Sequence, residues 1–113
     1  MTLLDTSVVI DRVRSRSPIE EDITAVTLVE YPRIVYYKHF HGGVVFPIKH
    51  DFYLAHKLQL ELLRLGRPQA FSDLLVASIA VNRDEELITK DPDFEHIGVA
   101  VRNLGYVARF RIL

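Results

Sequence analysis

The sequence predicts an α/β fold in which a mostly parallel sheet is flanked by helices. Three observations lead there. Two short runs, Leu3-Leu4 and Leu87-Ile88-Thr89, lead to an acid, Asp5 directly after the first and Asp91 one residue beyond the second. Between them, Leu54, Leu58, Leu62 and Leu65 recur at helical spacing. Strand-like and helix-like stretches alternate along the chain, the pattern of strands joined by helical crossovers.

Each element has its local reason. Leu3-Leu4 reads as a short first strand ending near Asp5, followed by a helix that carries Asp11, Arg12 and Arg14. Ser15 to Pro18 is polar and reads as a loop. The apolar stretch Ile23–Val29 reads as helical, and Thr27-x-x-Glu30 has the spacing of a capping box. Pro32 then requires this helix either to kink or to break near Tyr31, because proline lacks the backbone donor. Gly42-Gly43 marks a turn. Asp51 caps the leucine-striped helix, which Gly66 and Pro68 end. Ser72-Asp73 is placed to cap another helix, with Leu74, Ala77 and Val81 on one face. Val99–Val101 and Val107–Ile112 read as closing strands; in the second, Ala108, Phe110 and Ile112 alternate with Arg109 and Arg111.

Composition narrows the function classes. A chain of 113 residues fits one domain spanning 1–113. It has no cysteine, which excludes disulfides and thiolate metal sites and fits a reducing cytoplasm. No apolar run approaches the ~20 residues of a membrane span, and Met1 is not followed by a secretory signal pattern. The net charge of −1 does not by itself announce a nucleic-acid binder, so such a role would need local basic patches.

The acids carry the chemistry. Asp5 follows the first strand, Glu30 lies on an apolar helix, Asp73 begins a helix, and Asp91 and Asp93 follow Leu87-Ile88-Thr89. Singly, each has an ordinary explanation as a cap, a first-turn acid or a turn residue. Together they fall where an open parallel sheet gathers ligands, beyond the carboxyl ends of its strands. Carboxylates converging on one rim repel each other unless a cation offsets them. Oxygen donors without Cys or His select a hard ion, Mg²⁺ or Mn²⁺. Such an ion in an open cup activates water against a phosphodiester. A haloacid-dehalogenase-like site would need Asp-x-Asp, and Asp5-Thr6-Ser7 lacks the second acid.

Four ordered segments, Leu4–Asp11, Thr24–Glu30, Ser72–Ala80 and Leu87–Phe94, make the sequence resemble PIN domains, and among them the VapC toxins of type II toxin–antitoxin pairs. The resemblance implies a three-layer α/β/α fold and a Mg²⁺- or Mn²⁺-dependent ribonuclease. By this likeness Asp5, Glu30, Asp73 and Asp91 form the acidic catalytic quartet, and Asp5, Asp73, Asp91 and Asp93 the candidate metal ligands. It also implies an RNA substrate, a small VapB-like antitoxin whose C-terminal segment covers the acidic groove, and a homodimer. The stretch between Glu30 and Asp73 is short for the family, with Tyr31-Pro32 and His39-x-His41-Gly42-Gly43 outside its motifs. Two other readings share the motif: a PIN nuclease of RNA processing without an antitoxin, and a catalytically silent interaction module.

Thr6 and Ser7 are placed to orient Asp5 or touch a phosphate, and Arg12 and Lys90 are the best candidates for a cationic rim. His39, His41, His50, His56 and His96 have no zinc-ligand spacing and read as surface residues. The aromatic band from Tyr31 to Phe52 reads as core or as a partner surface.

Overall fold

A computed structural model describes residues 1–113. The chain runs β1 (Thr2–Leu4), α1 (Thr6–Arg14), β2 (Asp22–Thr24), α2 (Ala25–Glu30), a 3₁₀ turn (Pro32–Tyr36), β3 (Val44–Val45), α3 (Lys49–Arg64), α4 (Phe71–Asn82), β4 (Glu86–Thr89), α5 (Phe94–Asn103) and β5 (Phe110–Ile112). The five strands form one sheet in the order β3-β2-β1-β4-β5. Every pairing is parallel.

The pleat of β1 and β4 separates two cores. Leu3 and Leu87 face one side, where they meet Leu58 and Leu62 of α3, Leu75 and Ile79 of α4, and Phe94 and Ile97 of α5. Leu4 and Ile88 face the other side, packing with Val8 and Val9 of α1, Ile23, and Ile34 of the 3₁₀ turn. Helices therefore cover both faces, the three-layer arrangement expected of a parallel sheet. The short α2 straddles them, with Val26 against the larger core and Leu28 against the smaller.

Several sequence expectations need correction. Val99–Val101 is not a strand but part of α5. Phe94, Ile97 and Val101 are all fully buried, and their spacing of three and four residues is helical. Strands β2 and β3 were not expected; at three and two residues they are too short to show alternation. Thr27–Glu30 is no capping box, because α2 already begins at Ala25 and the Thr27 hydroxyl turns to Thr6. Of the two courses open at Pro32, the helix breaks: Pro32 opens the 3₁₀ turn. Ser72 and Asp73 lie inside the first turn of α4, whose cap position is Ala70. Asp51 serves α3 from its third position, accepting from the Ile48 backbone N–H at 2.7 Å.

The Gly42-Gly43 turn has a steric cause. A Cβ on Gly42 would sit 1.8 Å from the Glu21 carbonyl oxygen. Only glycine lets the chain pass this close and deliver β3 to β2.

Candidate active site

The sheet order places a topological switch point between β1 and β4, since the chain leaves those neighbours toward opposite edges. Asp5 is the residue after β1 and the N-cap of α1. Its backbone N–H donates to the Ile88 carbonyl of β4 at 2.9 Å. Asp91 and Asp93 lie in the turn after β4, Glu30 is the last residue of α2, and Asp73 stands in the first turn of α4.

Hydroxyl groups hold two of these carboxylates. Thr89 Oγ1 donates to Asp5 Oδ2 at 2.7 Å, and Ser7 Oγ donates to the same oxygen at 3.2 Å. Thr89 Oγ1 also accepts the Asp91 backbone N–H at 3.0 Å, which ties the β4 turn to Asp5. Asp91 Oδ1 in turn accepts the Asp93 N–H at 2.9 Å. Thr6 Oγ1 donates to Glu30 Oε1 at 2.7 Å. Ser7 Oγ further accepts the Lys90 N–H at 3.1 Å.

Electrostatics brings the acids into one neighbourhood. Burial raises the Asp5 pKa above the usual carboxylate value, against the hydrogen bonds from Thr89, the Thr6 backbone and Ser7, and with a further push from Glu30. The Asp73 carboxyl is pushed up to about 6, first by burial and then by the charges of Asp5, Asp91, Glu30 and Asp93. Asp73 thus senses every other acid of the predicted set. No cation of the protein is hydrogen-bonded to or ion-paired with any of the five.

The donor chemistry, carboxylates supported by hydroxyls, fits a hard divalent cation. No three of these side chains stand close enough together to hold an ion as they are placed. The five histidines join no metal-binding group either.

The rim residues divide. Arg12 forms a two-pronged pair with Glu21 at 2.9 and 3.0 Å and is engaged away from the acids. Lys90 pairs with Asp11 on the surface beside Asp91. Sequence reasoning did not find Thr89 or Thr27, since a threonine inside an apolar run looks like any strand or helix residue.

Beside Glu30 and Asp73 an apolar groove of about 380 Å³ runs between α2 and α4, lined by Val26, Val29, Pro47, Phe71 and Leu75. Val29 and Phe71 are 82% and 64% exposed. The aromatic band divides: Tyr36 and Phe46 lie on the surface, while Tyr37 and Phe40 pack against the smaller core.

The architecture is a PIN-like α/β fold, a parallel sheet between helices, with Asp5 and Asp91 after the two strands at its switch point. Solved structures that it resembles include toxin–antitoxin complexes. A chain of VapBC-1 from nontypeable Haemophilus influenzae superposes with a TM-score of 0.72 at 16% identity, covering 98% of this chain and 96% of that one. A chain of DNA-bound VapBC from Salmonella typhimurium gives a TM-score of 0.71 at 18% identity, over 98% and 96%. One of VapBC-5 from Mycobacterium tuberculosis gives 0.65 at 22% identity, over 99% and 96%. The shared property is the fold, over nearly the whole chain. No family model matches the sequence, and no curated protein matches it.

Proposed function

We propose that the protein is a VapC-like, Mg²⁺- or Mn²⁺-dependent endoribonuclease. What supports the reading is that Asp5, Asp91 and Asp93 follow β1 and β4 at the switch point of this fold, and that the Asp73 carboxyl feels the charges of Asp5, Asp91, Glu30 and Asp93.

In this reading Asp5, Asp73, Asp91 and Asp93 hold the cation, with Glu30 completing the acidic set. A bound divalent ion supplies Lewis acidity and offsets charge developing on the phosphodiester. The chain's own residues prepare the crevice. Thr89 and Ser7 fix the orientation of the Asp5 carboxylate through Oδ2. The Asp91 N–H bond to Thr89 keeps the β4 turn in register with Asp5. Raised proton affinity at Asp73 follows first from burial and then from the neighbouring carboxylates, whose charge a cation would offset. Lys90, exposed next to Asp91, supplies a cation for an RNA phosphate.

The reading extends to partners. A small VapB-like antitoxin would cover the acids and lay apolar side chains in the groove between α2 and α4. A homodimer would use exposed apolar residues of α3, among them Leu60 and Leu63. No helix of the chain is long and apolar enough to cross a membrane, and a cytoplasmic setting belongs to the same proposal.

The test is cleavage of a fluorescent single-stranded RNA by purified protein with Mn²⁺ or Mg²⁺, against the same reaction with chelator and against Asp5→Asn. Cleavage that needs the metal and is lost in Asp5→Asn supports the reading. Metal-independent cleavage, or activity retained in Asp5→Asn, overturns it.

A further inference from the structure

The hydroxyls at Ser7 and Thr89 both serve Asp5 directly. The contact at Glu30 is built differently. Thr6 Oγ1 lies 2.7 Å from Glu30 Oε1 and 2.8 Å from Thr27 Oγ1. A threonine hydroxyl carries one proton and accepts through its lone pairs, whereas a carboxylate only accepts. The Thr6 proton therefore goes to Glu30. Thr27 must then donate its proton to Thr6. The two threonines form a chain with one possible direction, Thr27 to Thr6 to Glu30.

Burial makes the chain selective. Thr27 is 1% exposed and Thr6 is 9% exposed. Thr6 is the only side-chain partner of the Thr27 hydroxyl. A buried hydroxyl without a partner costs about 1–3 kcal/mol, so each threonine holds the other in place. Thr27 and Glu30 are three residues apart on α2 and share a face. Thr6 opens α1. The chain thus fastens the last turn of α2 to the first turn of α1.

Glu30 needs such a fastening. It ends a helix of six residues, just before the break at Tyr31-Pro32, and it is exposed. Its side chain has three rotatable bonds, and ordering it costs up to about 1.5–2 kcal/mol. Bonds in a chain strengthen one another by roughly 10–30%.

We infer that Thr27 is a positioning residue, fixing the Glu30 carboxylate at the acidic crevice through the Thr6 hydroxyl. The inference rests on the nuclease reading above and deepens it. Thr27 touches neither substrate nor ion. It acts only through Thr6, and Thr6 acts only on the orientation of Glu30.

The test uses the full chain with Thr27→Val, Thr27→Ser, Thr6→Val and the double variant Thr6→Val/Thr27→Val. Mn²⁺ affinity is read by calorimetry and RNA cleavage by kcat and KM. Valine matches threonine in shape, and melting curves confirm that each variant folds. Loss of a group that orients a residue of a metal site typically weakens affinity or activity about 10- to 100-fold, and because Glu30 is not one of the four acids assigned to the ion, the loss is read first in kcat. Thr6→Val is expected near the lower end of that range, and Thr27→Val at several-fold, with KM unchanged in both. Thr27→Ser restores the wild-type values, because it restores the donor. Adding Thr27→Val to Thr6→Val costs nothing further, which a general packing defect would not reproduce.

The metal-free protein gives a reading independent of catalysis. The Thr27 hydroxyl proton should exchange slowly by NMR in wild type and fast in Thr6→Val. Fast exchange in wild type overturns the inference. So does a Thr27→Val protein with wild-type Mn²⁺ affinity and kcat, or one whose losses persist undiminished on top of Thr6→Val. A wild type that neither binds Mn²⁺ nor cuts RNA is the distinct failure: it overturns the nuclease reading, and this inference with it.

Discussion

Replacing Asp73 by Asn should stabilise the metal-free protein at neutral pH, and the gain should vanish in acid. The Asp73 carboxyl titrates near 6 instead of its ordinary 3.8. The folded state therefore binds this proton more tightly than the unfolded chain. An acid with a raised folded pKa leaves stability untouched below about pH 4, erodes it between about 4 and 6, and exerts its full cost above that. A difference of roughly two pH units corresponds to about 3 kcal/mol. Asp73 is only half-buried, so solvent screening reduces this to about 1–2 kcal/mol. The dipole of α4 favours an acid in its first turn by about 0.3–1 kcal/mol, yet the carboxyl still titrates high, so burial and repulsion win.

For a chain of this size 1 kcal/mol moves the melting temperature by about 4 °C. Asp73→Asn should thus melt about 4–8 °C above wild type at pH 7.5 without metal, and within about 1–2 °C of it at pH 3.5. The assay is thermal unfolding followed by circular dichroism at both pH values. Saturating Mn²⁺ should then raise the melting temperature of wild type but not of the variant, because binding to the folded state alone stabilises it. A variant less stable than wild type at pH 7.5, or a difference that ignores pH, would refute the account of repelling acids.

Asp5→Asn should lose Mn²⁺ binding in calorimetry and keep its fold, since the amide oxygen still accepts from Thr89; a collapse of the melting transition would make Asp5 a structural cap. Asp11→Asn breaks only an exposed contact with Lys90, worth at most about 1 kcal/mol, so metal binding should persist; its loss would mean that the wrong acids have been chosen. Leu58→Ala empties a fully buried site between α3 and the sheet and should cost about 3 kcal/mol, lowering the melting temperature by about 12 °C; a loss under about 1 kcal/mol, read by urea titration, would show the larger core to be loosely packed. Gly42→Ala drives a methyl into the Glu21 carbonyl and should destabilise the edge at β3; wild-type stability would show that the turn relaxes freely.

What could be read from the chain depended on distance along it. Leu54, Leu58 and Leu62 announced α3 because helical packing repeats within a few residues. The acids were readable because each follows a short apolar run or opens a helix, which is local information too. Strands β2 and β3 were not, because they are strands only by pairing with β1 and with each other. Val99-Ala100-Val101 looked like a strand from its β-branched content, but packing against Phe110 and the sheet made it helix. Arg12 looked like a rim cation until the fold brought Glu21 to it. The Thr89 hydroxyl was least readable: Thr89 meets Asp5 across 84 residues, and no local pattern encodes that meeting.

That separation governs when the crevice comes into being. β1 lies in the middle of the sheet, yet its neighbour β4 is made only after three-quarters of the chain. Domains emerging from a ribosome fold as their contacts become available, and pairings between distant segments come late. Until β4 and the turn beyond it have emerged, Asp5 lacks both the Thr89 hydroxyl and the acids of that turn. A nascent chain that stops before Asp91 therefore has an incomplete crevice.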